Sequence, residues 1–251
     1  MEQQTVAKPD AAEMIGEMFG IQNALNTKSY DSAWIDKGLS GEFDYPMAAV
    51  DEVHEFLRSL PFQWWTKDQP DRQNQVTELV DAWHFIMSQY IIDHGGDVQV
   101  AAESVARSYP YTQMGMNRLE PTVKQQAKKL IVSLYGGRHQ DGAGCVVQDS
   151  YIECFFLLLR RSNISLELLY ARYIAKATLN KFRVANGYKQ GTYMKKWALA
   201  GEVGEDNFFL SRFVDQELEA GHQVPSEEDV NHFLTRVYAE VQAEATENLS
   251  T

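Results

Sequence analysis

The run Glu78-Leu-Val-Asp-Ala-Trp-His-Phe-Ile-Met87 is apolar on most helical faces, yet Glu78, Asp81 and His84 fall on it at i, i+3 and i+6. A helix apolar on most sides is largely buried. Acids persist in such surroundings only when they are paired or bound to a metal. A second acidic pair, Glu52-x-x-Glu55, precedes this run. An i, i+3 pair on a helix points two side chains the same way. Four carboxylates from two helices form a site for hard, oxygen-preferring cations such as Mg²⁺. Taken alone, Glu52 and Glu55 also fit a solvated helix face.

Most of the rest of the chain reads as helix. Apolar residues at Met14, Ile15, Met18, Phe19, Ile21 and Leu25 keep close to a 3.6-residue period over Ala11 to Asn26. Lys28 to Asp44 reads as a loop. Pro46 sits just inside a helix that runs to about Ser59, a favoured place for proline. Further helices are expected over Arg72 to His94, Val98 to Ser108, Pro121 to Leu134 and Tyr151 to Arg161. Ser165 caps a long helix that stops at Gly187. Ser226 caps a last amphipathic one with acids in its first turn. Tyr135 to Gly144 is a glycine-rich break without the GK[ST] ending of a phosphate loop. Strand signals are few, so the expected class is all-α. At 251 residues the chain is expected to be a single all-helical catalytic domain over 1–251. Within it, 98–147 is a candidate mobile cap or insertion.

The net charge of −12 argues against a general nucleic-acid binder, which would carry a basic face. Cys145 and Cys154 form no CxxC motif and read as reduced thiols of a cytoplasmic protein. The N-terminal residues lack the apolar stretch of a signal peptide. The most apolar run, Cys154 to Leu159, is too short to span a membrane.

Against this acidic background, Lys176, Asn180 and Arg183 recur on one helical face. The turn that follows carries Tyr188, Lys189 and Lys195. Such donors suit phosphate oxygens, and arginine can bind them bidentately. The alternative is a solvated basic helix end favoured by the macrodipole. Gln22 and Asn26 share a face of the first helix. Their amides suit the edge of a base, with capping or surface roles as the alternative.

Taken in order, these motifs are IQNALN, the ExxE pair, Phe62-Gln-Trp-Trp65-Thr-Lys67, ELVDAWHF, Lys176-x-x-x-Asn180-x-x-Arg183, NGYKQGTYMK and Gly204-Glu-Asp-Asn207. Together they resemble the all-α, dimeric deoxyuridine triphosphatases, relatives of the MazG-type nucleotide pyrophosphatases. That family includes phage enzymes and members that also act on dCTP. The resemblance implies a helical-bundle homodimer that hydrolyses dUTP to dUMP and pyrophosphate. It implies Mg²⁺ held by Glu52, Glu55, Glu78 and Asp81, with Glu52 activating the attacking water. It assigns uracil to Gln22, Asn26 and Trp64, and the deoxyribose to His84 and Phe85. Lys176, Asn180, Arg183, Tyr188, Lys189 and Lys195 would contact phosphates, and Asp206 and Asn207 would complete the closed site. In two places the chain departs from the family pattern. Ala177 stands where the family commonly has asparagine, and Gln63 replaces a usual lysine.

Three rivals remain at this point. The first is the same chemistry on dCTP or a modified deoxynucleotide. The second is a di-iron carboxylate protein, because Asp81-x-x-His84 and Asp51-x-x-His54 echo the Glu-x-x-His ligand pattern. Asp51 and Glu52, however, point about 100° apart on a helix, so both sets cannot face one site. The third is a helical interaction protein without catalysis.

Overall fold

The computed structural model describes residues 9–30, 33–61, 69–114, 121–136, 139–140, 146–147, 150–199, 201–222 and 224–249. Trp64, Gln63 and Cys145 lie outside them. The chain divides into two compact units, Met1–Leu169 and Tyr170–Thr251, and the division falls in the first turn of one helix.

The first unit holds α1 (Ala11–Tyr30), α2 (Trp34–Leu39), α3 (Tyr45–Arg58), α4 (Arg72–Asp93), α5 (Val98–Gln113), α6 (Val123–Leu134) and α7 (Tyr151–Arg161). Two-residue strands β1 (His139–Gln140) and β2 (Val146–Val147) pair antiparallel. Helix starts are fixed by side-chain caps. Asp44 accepts from Met47 N at 2.9 Å, and Asp71 from Asn74 N at 3.0 Å. Pro46 occupies the first turn of α3. α3 packs along α4, and α4 is buried on most of its faces, as its sequence demands. Trp83 at its centre stacks on Phe155 of α7 at 4.9 Å and meets Phe19 of α1 edge-on at 5.9 Å. Fully burying such rings contributes roughly 1.5–3 kcal/mol each.

Three stretches differ from the sequence expectation. α1 continues to Tyr30, and the expected loop over Lys28 to Asp44 contains α2. Trp34, 1% exposed, anchors α2 by its edge contact with Tyr45. A Cβ at Gly38 would meet the Ile92 Cδ1 of α4, so a larger residue there would make the end of the Ile92 side chain turn aside. α5 runs through Pro110 to Gln113. α5 and α6 place Ala101, Val105 and Leu130 in the core of this unit.

The second unit holds most of α8 (Leu166–Ala185), a 3₁₀ turn η1 (Tyr188–Gln190), β3 (Lys196–Leu199), β4 (Glu202–Glu205), α9 (Asp206–Glu219) and α10 (Glu227–Leu249). Ser165 caps α8 by accepting from Leu168 N at 3.1 Å, and Ser226 caps α10 by accepting from Asp229 N at 3.2 Å. α8 ends before Gly187, whose φ of +92° no side chain adopts readily. β3 and β4 form an antiparallel hairpin in which Lys196 faces Glu205 and Leu199 faces Glu202. Trp197 of β3 joins Phe182, Tyr193, Phe209, Leu234 and Tyr238 in the core of this unit. Among the described residues, no helix is long and apolar enough to cross a membrane.

Candidate active site

α3 and α4 bring the two acidic pairs together. One carboxylate oxygen from each of Glu52, Glu55 and Glu78 lies within 4.8 Å of the other two. Glu78 is buried and Glu52 half-buried, while the Glu55 side chain is 46% exposed. Asp81 is close enough for its charge to act on Glu52. Glu52 is pushed up to about 8, first by burial and then by the charges of Asp81, Glu78 and Glu55. Glu52 and Glu78 also share a side-chain hydrogen bond. Without a cation, the cluster therefore relieves its repulsion by keeping a proton. The donor set fits a hard divalent cation: it is all oxygen, partly buried, and gains from a positive charge in place of that proton.

Asp51 and His54 face elsewhere. They line an open surface groove with Asp44, Met47 and Tyr135, so the echo of a di-iron pattern on α3 does not join the acid cluster.

The polar stripe of α4 continues past Asp81 to His84 and meets the amides of α1. His84 Nδ1 lies 2.7 Å from Gln22 Oε1. Gln22 Nε2 donates to Asn26 Oδ1 at 3.0 Å and to Ser88 Oγ at 3.1 Å. Asn26 Nδ2 donates to Ser88 Oγ at 2.9 Å, and Ser88 donates to the His84 carbonyl at 2.8 Å. Gln22, Asn26 and His84 are all buried, and Ser88 is fully so. Phe85 is half-buried beside His84. Ser88 escaped the sequence reading. Its signal was its place four residues after His84 in a stretch otherwise apolar on that side.

In the second unit Arg183, Lys176 and Lys195 already have partners. Arg183 Nε and Nη2 donate to the two Asp206 oxygens at 2.8 and 2.7 Å, and Nη1 reaches Asn180 Oδ1 at 3.4 Å. Asp206 is fully buried and also accepts from Tyr193 OH and from Asn207 N, each at 2.8 Å. Burial alone would lower the Arg183 pKa, but the bonds and charge of Asp206 raise it above its ordinary value. Lys176 Nζ lies 3.5 Å from Asn207 Oδ1, and Lys195 pairs with Glu205 at 3.0 Å. Tyr188 and Lys189 stand exposed on η1. Tyr193 is the residue missed here. Its sequence context suggests only a turn aromatic, while burial and the charge of Asp206 push its phenol pKa up.

A family model described as dUTPase matches residues 14–188. The match takes in the four acids, the α1 amides, and Lys176, Asn180, Arg183 and Tyr188. Lys189, Lys195, Asp206 and Asn207 lie beyond its end. No curated protein matches the chain. With most of its length matched, and with helices carrying the acid cluster, this chain belongs to the all-α dUTPase family and is an enzyme that hydrolyses dUTP or a related deoxynucleoside triphosphate.

Proposed function

We propose that this protein hydrolyses dUTP to dUMP and pyrophosphate with Mg²⁺ as its cofactor. The observation that carries this reading is the convergence of Glu52, Glu55 and Glu78 within 4.8 Å, from two helices of the family-matched segment. A nucleoside triphosphate carries about four negative charges, so bare carboxylates would repel it. Mg²⁺, held by Glu52, Glu55, Glu78 and Asp81, would neutralise phosphate charge and polarise the phosphorus.

The chain's own groups supply the remaining steps. Glu52 takes the proton of the attacking water. The water attacks in line, the bond linking the α- and β-phosphates breaks, and diphosphate leaves. Gln22 and Asn26 read the base, and the family resemblance adds Trp64 to them. His84 and Phe85 meet the deoxyribose, where the Phe85 ring leaves no room for a 2′-OH. Lys176, Asn180, Arg183, Tyr188, Lys189 and Lys195 contact phosphates, with Asp206 and Asn207 beside them. The family resemblance also supports a homodimer acting in the cytoplasm, which would keep uracil out of DNA and supply the precursor of dTMP.

A panel of nucleoside triphosphates with Mg²⁺, read by pyrophosphate release, tests the reading. The expected result is turnover of dUTP well above dCTP and UTP. Preferential turnover of dCTP would move the assignment to the related deoxycytidine activity.

A further inference from the structure

From the hydrogen bonds between α1 and α4 we infer that Ser88 is a positioning residue that sets the choice of uracil over cytosine. The inference rests on the reading of Gln22 and Asn26 as the groups that meet the base. A hydroxyl has one proton and two lone pairs. The Ser88 proton is committed to the His84 carbonyl at 2.8 Å, a back-bond within α4. Its oxygen can then only accept, and it accepts from both Gln22 Nε2 and Asn26 Nδ2, at 3.1 and 2.9 Å. Asn26 Oδ1 is held in turn by the Gln22 amide at 3.0 Å.

These bonds fix which end of each amide is nitrogen. Turning Asn26 over would set its NH₂ against the Gln22 NH₂ and its oxygen against Ser88 Oγ. The first contact would become repulsive, and the second would survive only if Ser88 gave up its bond to the His84 carbonyl and turned its proton to Asn26. Ser88 is 0% exposed, so water cannot substitute for either.

Amide direction matters because the two pyrimidines are mirror images on this edge. Uracil offers a carbonyl acceptor at C4 beside an N3–H donor. Cytosine offers an amino donor at C4 beside an N3 acceptor. A primary amide held one way complements one pattern and opposes the other. The same amide turned over reverses the preference. A site whose amide is free to turn accepts both bases. Ser88 is the group that prevents turning.

The test is kcat/KM for dUTP and for dCTP with Mg²⁺, in wild type, Ser88→Ala and Ser88→Cys, with thermal unfolding as a check on folding. Alanine removes the acceptor. Cysteine keeps the volume but accepts weakly, so either variant that folds carries the test. In both, the dUTP-to-dCTP ratio should fall at least roughly tenfold, the scale of losing one polar discrimination in a buried site. A purely structural serine would lower the melting temperature and both rates together. An unchanged ratio in a folded variant therefore overturns the inference. A wild-type ratio at or below one overturns it too, while leaving the hydrolase reading intact. A wild-type enzyme that cleaves neither substrate removes the functional reading itself, and this inference with it.

Discussion

Asp206 receives Arg183 at both carboxylate oxygens, through Nε at 2.8 Å and Nη2 at 2.7 Å, in a pocket with no solvent exposure at the acid. The Tyr193 hydroxyl and the Asn207 amide complete its shell. One carboxylate thus ties the end of α8 to the turn after η1 and to the start of α9. Arg183 is left with Nη1, beside Asn180, as the guanidinium edge not engaged by Asp206.

Removing one partner of a buried ion pair leaves an uncompensated charge, at a cost of about 3–5 kcal/mol. Asp206→Asn should destabilise the protein by an amount on that scale, measured by denaturant unfolding. A loss below about 1 kcal/mol would show that the pair is no better than a surface bridge.

The acid cluster predicts how stability depends on pH. Glu52 rises from 4.5, its ordinary value, to about 8 in the fold. Between those values the native state holds a proton that the unfolded chain has lost, so stability falls as pH rises through this window. In EDTA the melting temperature should drop from pH 5 to pH 8, and Glu52→Gln should flatten that drop. On the proposed reading Mg²⁺ binds the native cluster and not the unfolded chain, so at pH 8 it should raise the melting temperature of wild type, by the equivalent of about 2.7 kcal/mol at a hundredfold excess over Kd. Glu52→Gln combined with Asp81→Asn should blunt the rise. A wild-type melting curve indifferent to Mg²⁺ would contradict a preformed site.

Phe85 follows His84 on the helix that carries Glu78 and Asp81. A ring packed on C2′ offers a 2′-OH neither space nor partner, and burying an unpaired hydroxyl costs about 1–3 kcal/mol. Phe85→Ala should therefore narrow the gap in kcat/KM between dUTP and UTP, roughly ten- to a hundredfold. Equal turnover of the two sugars by wild type would remove this role.

The acid cluster was legible in the sequence because two local patterns carry it. These are i, i+3 spacing on α3 and a polar stripe on a helix too apolar to be exposed. The partners of that stripe were less legible. Ser88 meets Gln22 and Asn26 across 66 and 62 residues, and no local period signals such a contact. The partner of Arg183 was hidden too, because its reach to Asp206, 23 residues on, depends on how η1 and the hairpin fold back. The hairpin itself was missed because its strands are four residues long and only Trp197 is buried on them. α2 was missed because six residues hold too little periodicity, and its stability comes from Trp34 packing rather than from propensity.

The central claim is that the clustered acids carry metal-dependent hydrolysis of dUTP. Glu78 tests it most directly, since it is the buried member of the trio and neighbours both Glu52 and Glu55. The measurement is pyrophosphate release from dUTP with saturating Mg²⁺, in wild type and in Glu78→Gln, with melting curves confirming that both are folded. The predicted result is a loss of turnover of at least roughly a hundredfold, the scale of losing an essential catalytic group. Turnover of folded Glu78→Gln close to that of wild type would contradict the account.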